Sequence, residues 1–166
     1  ADSQVDVLFG GGLKHFKRNN EAGDKTLLAQ SQQNGFEFID SLSQVESVDE
    51  NKKLLGLFSK GHLPVRLQGT DGRTAEKSSY SFLHFFHRYL GTVTLPEIMK
   101  CESNPEFISQ QTPDLKDLTT LALQRLKNDK GFFLMVESAS IDKQSHKRNP
   151  CGSIGEAQQL FETVQV

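Results

Sequence analysis

Three side chains near the end of the sequence could bind metal ions: Glu137, Asp142 and His146. Asp142 and His146 are four positions apart, so a helical turn puts them on one face, and an oxygen beside an imidazole nitrogen suits zinc. Glu137 offers oxygen alone, which better suits a harder ion such as magnesium. Lys143 lies between them and could serve an anionic ligand. A phosphate held by a metal and a lysine is a coherent picture. The spacing is short, and a second reading stays open in which Glu137 caps a neighbouring helix and Asp142 pairs with Lys143 or Lys147. Position favours the metal reading. Ligands of open α/β sheets bind beyond the carboxyl ends of the strands, and Glu137 directly follows the apolar run at 132–136. Glycines 10–12 follow another apolar run and would share that sheet edge. They match no phosphate-loop pattern and read as turn chemistry. His84 and His87 are close enough for a metal pair, but no Cys, Asp or Glu nearby completes a site.

The elements that would position these residues alternate between strand and helix. Residues 5–9 form a β-rich apolar run stopped by the glycines. Asp24 can cap a helix carrying Leu27, Leu28 and Ala29, which Gly35 would end. Residues 36–39 read as a strand, Leu42 and Val45 have helical spacing, and 54–58 form another strand. Thr112 can cap a helix with Pro113 at its first position, Asp114 complementing its dipole, and Leu115, Leu118, Leu121 and Ala122 along one face. Residues 132–136 are apolar on both faces, as expected of a strand in the middle of a parallel sheet. Ser153 and Glu156 form a capping box opening a last helix. This order predicts an α/β fold, a mostly parallel central sheet sandwiched by helices. The stretch 59–111 breaks the rhythm and reads as an irregular insertion. Within it Phe82, Phe85, Phe86 and Tyr89 form one apolar helical face, suited to core packing or a subunit contact.

Composition narrows the function classes. Of 166 residues, 36% are apolar, and 19 Lys+Arg against 21 Asp+Glu leave a net charge of −2, so no basic footprint for nucleic acid exists. No apolar run approaches the roughly 20 residues that cross a bilayer, which predicts no membrane-spanning helix. Cys101 and Cys151 both lie in polar, proline-containing loops. They fit either a reduced pair or a disulfide, and the loop setting leans toward the latter.

The run G-F-F-L-M-V-E-S-A-S-I-D-K-Q-S-H at 131–146, followed by N-P-C-G at 149–152 and I-G-E at 154–156, strongly resembles bacterial periplasmic alkaline phosphatases. The likeness continues at 9–14, 54–58 and 64–66 and is weakest over 68–99. It implies a phosphomonoesterase with two zinc ions, one magnesium ion and a phosphorylated serine nucleophile. On that resemblance Glu137 is the magnesium ligand, Asp142 and His146 ligate one zinc, and Lys143 reaches the phosphate through water. Cys101 and Cys151 match a disulfide pair, which implies a periplasmic or secreted location, and the parent is expected to be a homodimer acting on phosphate monoesters. The nucleophilic serine, the phosphate-clamping arginine, the other zinc site and the third ligand of this zinc would lie outside residues 1–166. The whole chain is therefore expected to be an internal portion of a single domain, inactive alone and at most a metal- or partner-binding fragment. Ser145 stands where these enzymes often carry Asp, and Phe161 replaces the usual Asp of the last helix.

Overall fold

Strand β1 (Val7–Gly10) ends where Gly12 takes φ 93°, a left-handed turn that glycine makes without strain. In the computed structural model, which describes residues 5–75, 82–92 and 98–166, a four-residue helix α1 (Leu13–Phe16) follows directly. Helix α2 (Leu27–Gln33) leads into β2 (Phe36–Ile39), a 3-10 helix (Leu42–Ser47) and β3 (Lys53–Leu57). The three strands form a parallel sheet in the order β1-β3-β2, with Val7 opposite Leu54 and Phe36 opposite Lys53. β3 is central and buried on both faces, Leu54 at 0% and Leu55 at 1% exposure, as its unbroken apolar run requires.

Helix α5 (Leu115–Leu126) covers one face of the sheet, and its Leu118 joins Ile39, Leu54 and Phe58 in the core. Phe9 meets Phe58 edge-to-face with centroids 6.0 Å apart. Helix α7 (Pro150–Thr163) packs on α5 and on α6 (Ser140–His146). Within the stretch expected to be irregular, β4 (Leu67–Gly69) and β5 (Cys101–Ser103) form a small antiparallel pair, and helices α3 (Phe82–Tyr89) and α4 (Pro105–Ser109) lie around it in sequence. The Cys101–Cys151 disulfide joins β5 to the first turn of α7.

Several expectations are corrected. Residues 132–136 join no ladder among the described residues and are largely exposed, Phe133 at 88% and Met135 at 75%. They run beside the outer edge of β1 across a gap of about 310 Å³ also lined by Leu115, Leu118 and Ala122. An apolar run specifies that a strand could be buried; it does not specify which neighbour will bury it. The helix starts shift for similar reasons. Thr26, not Asp24, caps α2 by accepting from the Ala29 amide at 3.2 Å. α5 begins after Asp114, because Gln159 of α7 accepts from the Leu115 amide, and Thr112 is left outside the helix. α7 opens at Pro150 with Asn149 as its cap, so the Ser153–Glu156 pair falls inside the helix. The aromatic face of α3 is exposed, Phe85 at 67% and Tyr89 at 82%.

Candidate metal and phosphate site

The carboxyl ends of β1 and β3 lie on one edge of the parallel sheet, and their loops are joined by main-chain bonds. Gly12 donates its amide to the carbonyls of Ser59 (3.0 Å) and Gly61 (2.6 Å), and Lys14 donates to that of Lys60 (3.0 Å). A side chain at Gly11 would strike the Gly61 carbonyl, which explains why the loop needs glycine there. A cavity of about 300 Å³ opens at this edge, lined by Gly10, Gly11, Gly12, Lys14 and His62 on the loop side and by Glu137, Ser138 and Ser140 opposite. The glycines thus make the turn expected of them and, at Gly11, a close backbone contact besides, and they share the cavity with Glu137.

Helix α6 carries the other candidates. Its helical turn brings the Asp142 carboxylate within 3.4 Å of His146 Nε2, both side chains over four-fifths exposed. Asp142 therefore has the His146 imidazole as its neighbour, and among the described residues no salt bridge joins it to Lys143 or Lys147. No side chain caps α6, so Glu137 does not serve that helix. Helix α7 holds α6 in place: Asn149 Nδ2 donates to Gln144 Oε1 at 2.9 Å, and Gly152 packs against the Gln144 side chain. Ser145 donates to the Ile141 carbonyl at 2.8 Å and lies 3.1 Å from Ser153 Oγ. Ser138, next to Glu137, donates to the Glu156 carbonyl of α7 at 3.4 Å.

The donor set fits part of a metal centre. An exposed carboxylate and imidazole 3.4 Å apart can both face one zinc ion, and Glu137 offers an exposed carboxylate at the cavity. Among the described residues, no group of three His, Cys, Asp or Glu side chains assembles. Histidine 87 of α3 instead faces Thr92, with Nδ1 and Oγ1 2.9 Å apart. Charge around the cavity is mainly positive on the loop side. His62 is held below its ordinary pKa, first by Lys143 and then by its own burial and by Lys14, Lys147 and His15. Lys143 is also lowered, by burial first and then by Lys147 and Lys14. Lys14 and His62 of this wall carry no site role in the sequence reading, and Thr112 is expected there only to cap a helix. The only signal for them was their position just after β1, β3 and before α5.

The fold is a parallel α/β sheet with a glycine turn and a cavity at the carboxyl edge of its strands. The alkaline phosphatase family model matches residues 1–166, and the chain belongs to that family. It is 40% identical over 171 residues to the alkaline phosphatase of Escherichia coli, covering 99% of this chain and 33% of that protein. It is 38% identical over 170 residues to alkaline phosphatase H of Pseudomonas aeruginosa, covering 98% of this chain and 32% of that one. The chain thus spans about a third of the length of these relatives. Among solved structures, a variant of TAB5 alkaline phosphatase with Mg bound in its M3 site superposes with a TM-score of 0.63 at 21% identity, over 99% of this chain and 36% of that one. That likeness establishes the alkaline phosphatase-like α/β fold.

Proposed function

We propose that these residues form part of the zinc and magnesium centre of a phosphomonoesterase in which residues 1–166 are one portion of the catalytic domain and 59–111 an excursion from it. The observation that carries the reading is the Asp142–His146 pair, 3.4 Å apart and exposed, on the helix α6 whose first residue, Ser140, lines the cavity together with Glu137. Asp142 and His146 would hold one zinc, and Glu137 the magnesium. Bound metal would supply Lewis-acid stabilisation of the phosphoryl and leaving oxygens and activation of the attacking group. The chain's own residues orient and attract. Lys143, cationic and half-buried, draws the phosphate dianion toward the sheet edge. Ser138 fixes the segment that carries Glu137 to the main chain of α7, and Asn149 fixes the start of α7 to α6.

Because no three-ligand group assembles among the described residues, we expect the 166-residue chain alone to bind zinc weakly and to release no phosphate. The disulfide fits an oxidising compartment, periplasmic or secreted. The exposed aromatic face of α3 is a candidate contact in a homodimeric parent. The test is phosphate release from a generic monoester by the longer protein containing these residues. Asp142→Ala and His146→Ala should each abolish turnover and lower the zinc content measured by mass spectrometry. Full activity and full zinc in both variants would overturn the assignment.

A further inference from the structure

We propose that Lys14 and His62, with the Thr112 hydroxyl, extend the phosphate contact of Lys143 into a metal-independent anion subsite, which takes the second anionic group of a bis-phosphorylated ligand. The inference uses the phosphatase reading only to orient that ligand, with its transferred phosphoryl toward Glu137 and its other anion toward the loops. Lys14 and His62 line the cavity from two different loops, and the Gly12 and Lys14 amides bond those loops together, so the pair is held by main chain and not by chance of rotamer. Lys14 Nζ lies 4.0 Å from where a Gly61 side chain would begin, which directs it across the neighbouring loop. Lys143 and Lys147, one turn apart on and just after α6, do not line the cavity, but their charges help to hold the His62 pKa down.

Two further observations point to a ligand. Thr112 lines the same cavity at 7% exposure, and its Oγ1 has no hydrogen-bond partner among the described residues. A buried hydroxyl without a partner costs stability unless a ligand or water satisfies it. The depressed His62 also reports like charges crowded together with no acid among the causes. An entering anion would relieve that repulsion. Two acids line the same cavity: Glu137, assigned above to the metal, and Glu156, whose carboxylate already accepts from the Arg66 amide and Gln159. Its volume of about 300 Å³ sits at the small end of ligand sites, which favours compact anions over nucleotides or peptides.

The probe is inorganic pyrophosphate, added to the 166-residue chain in the presence of a chelator, with orthophosphate as the comparison. Titration calorimetry and the His62 ring signals in NMR read the binding. Pyrophosphate should bind about tenfold more tightly than orthophosphate, equivalent to about 1.4 kcal/mol. Binding should weaken as salt is raised, because the cations are exposed. Lys14→Gln and His62→Asn, both at exposed positions, should each weaken it about three- to tenfold while leaving the circular dichroism spectrum unchanged. No pyrophosphate binding, equal binding of the two anions, or binding untouched by both variants would overturn the proposal. Failure of the phosphatase reading is separable: the longer protein would then hydrolyse no monoester, while metal-free pyrophosphate binding by this chain would persist.

Discussion

Arg66 donates through Nη1 to Glu162 Oε2 at 2.7 Å, while its own main-chain amide is taken by Glu156 Oε1 at 3.1 Å. One residue before β4 is thus gripped twice by α7, once by a half-exposed carboxylate and once by a more buried one that also accepts from Gln159 at 2.8 Å. The two acids respond to this in opposite directions. The Arg66 hydrogen bond lowers the Glu162 carboxyl, whereas burial raises that of Glu156 against the pull of the Arg66 amide and Gln159.

The opposite shifts give opposite pH dependences. Glu162 contributes stability that is fully present above the ordinary glutamate value of about 4.3 and lost as pH falls through its lower folded value. Glu162→Gln should therefore flatten the acid limb of a plot of urea midpoint against pH. Glu156 keeps its proton longer in the folded state, so it subtracts stability as pH rises past about 4.3. Glu156→Gln keeps an acceptor for both donors and should be at least as stable as the parent at pH 7. Glu156→Ala leaves the Arg66 amide and Gln159 without their acceptor and should lose about 1–3 kcal/mol. Equal urea midpoints for the Gln and Ala variants would contradict this.

Reduction of the disulfide should be costly. Cys101 and Cys151 are 50 positions apart, and closing such a loop contributes about 4 kcal/mol in the chain-entropy description. The paired Cys101→Ser and Cys151→Ser variant should lower the urea midpoint in proportion, and reductant should lower the parent's midpoint to match while leaving the variant unchanged.

Gly11→Ala tests the bonded loops. The new methyl meets the Gly61 carbonyl, and main chain cannot turn away as a flexible side chain does. A loss of about 1–3 kcal/mol in urea stability is expected, as for other overpacked sites. Faster hydrogen exchange at the Gly12 amide should accompany it, since one of its acceptors is the Gly61 carbonyl that must move. Gly10→Ala, which meets nothing within 4 Å, is the control and should be close to neutral.

Gly155→Ala probes the seat of β4 on α7. Its methyl would come within 2.9 Å of Leu67 Cγ and 3.1 Å of the Leu67 amide nitrogen. A loss of similar size, about 1–3 kcal/mol, should appear in thermal denaturation followed by circular dichroism.

What could be read in the residues divides along local and non-local lines. The apolar runs of β1, β2 and β3, the left-handed Gly35 at φ 87° and the Asp142–His146 face of α6 all follow from periodicity or from one residue's conformational freedom. Residues 132–136 carry the same apolar signature as β3, yet one is at the sheet's centre and the other stands off its edge. Burial is decided by neighbours that the run itself does not encode. The helix starts moved for that reason too, since Gln159 of α7 sets where α5 begins. The disulfide followed from family likeness, not from spacing. Lys14 and His62 were illegible as a pair because their meeting depends on the carbonyls of Ser59, Lys60 and Gly61, some 45 positions away along the chain.

The outer edge of β1 has a consequence for handling the molecule. A short parallel sheet whose β1 edge has no strand partner among the described residues, with Leu8 46% exposed and an apolar groove beside it, offers its amides and carbonyls to any extended segment that arrives. Nothing on Val7, Leu8 or Phe9 provides the lysine or proline that natural edges use to discourage such pairing. Self-association of the 166-residue chain should therefore begin at this strand and grow with protein concentration. A single lysine at position 8 would be the simplest way to keep it in solution.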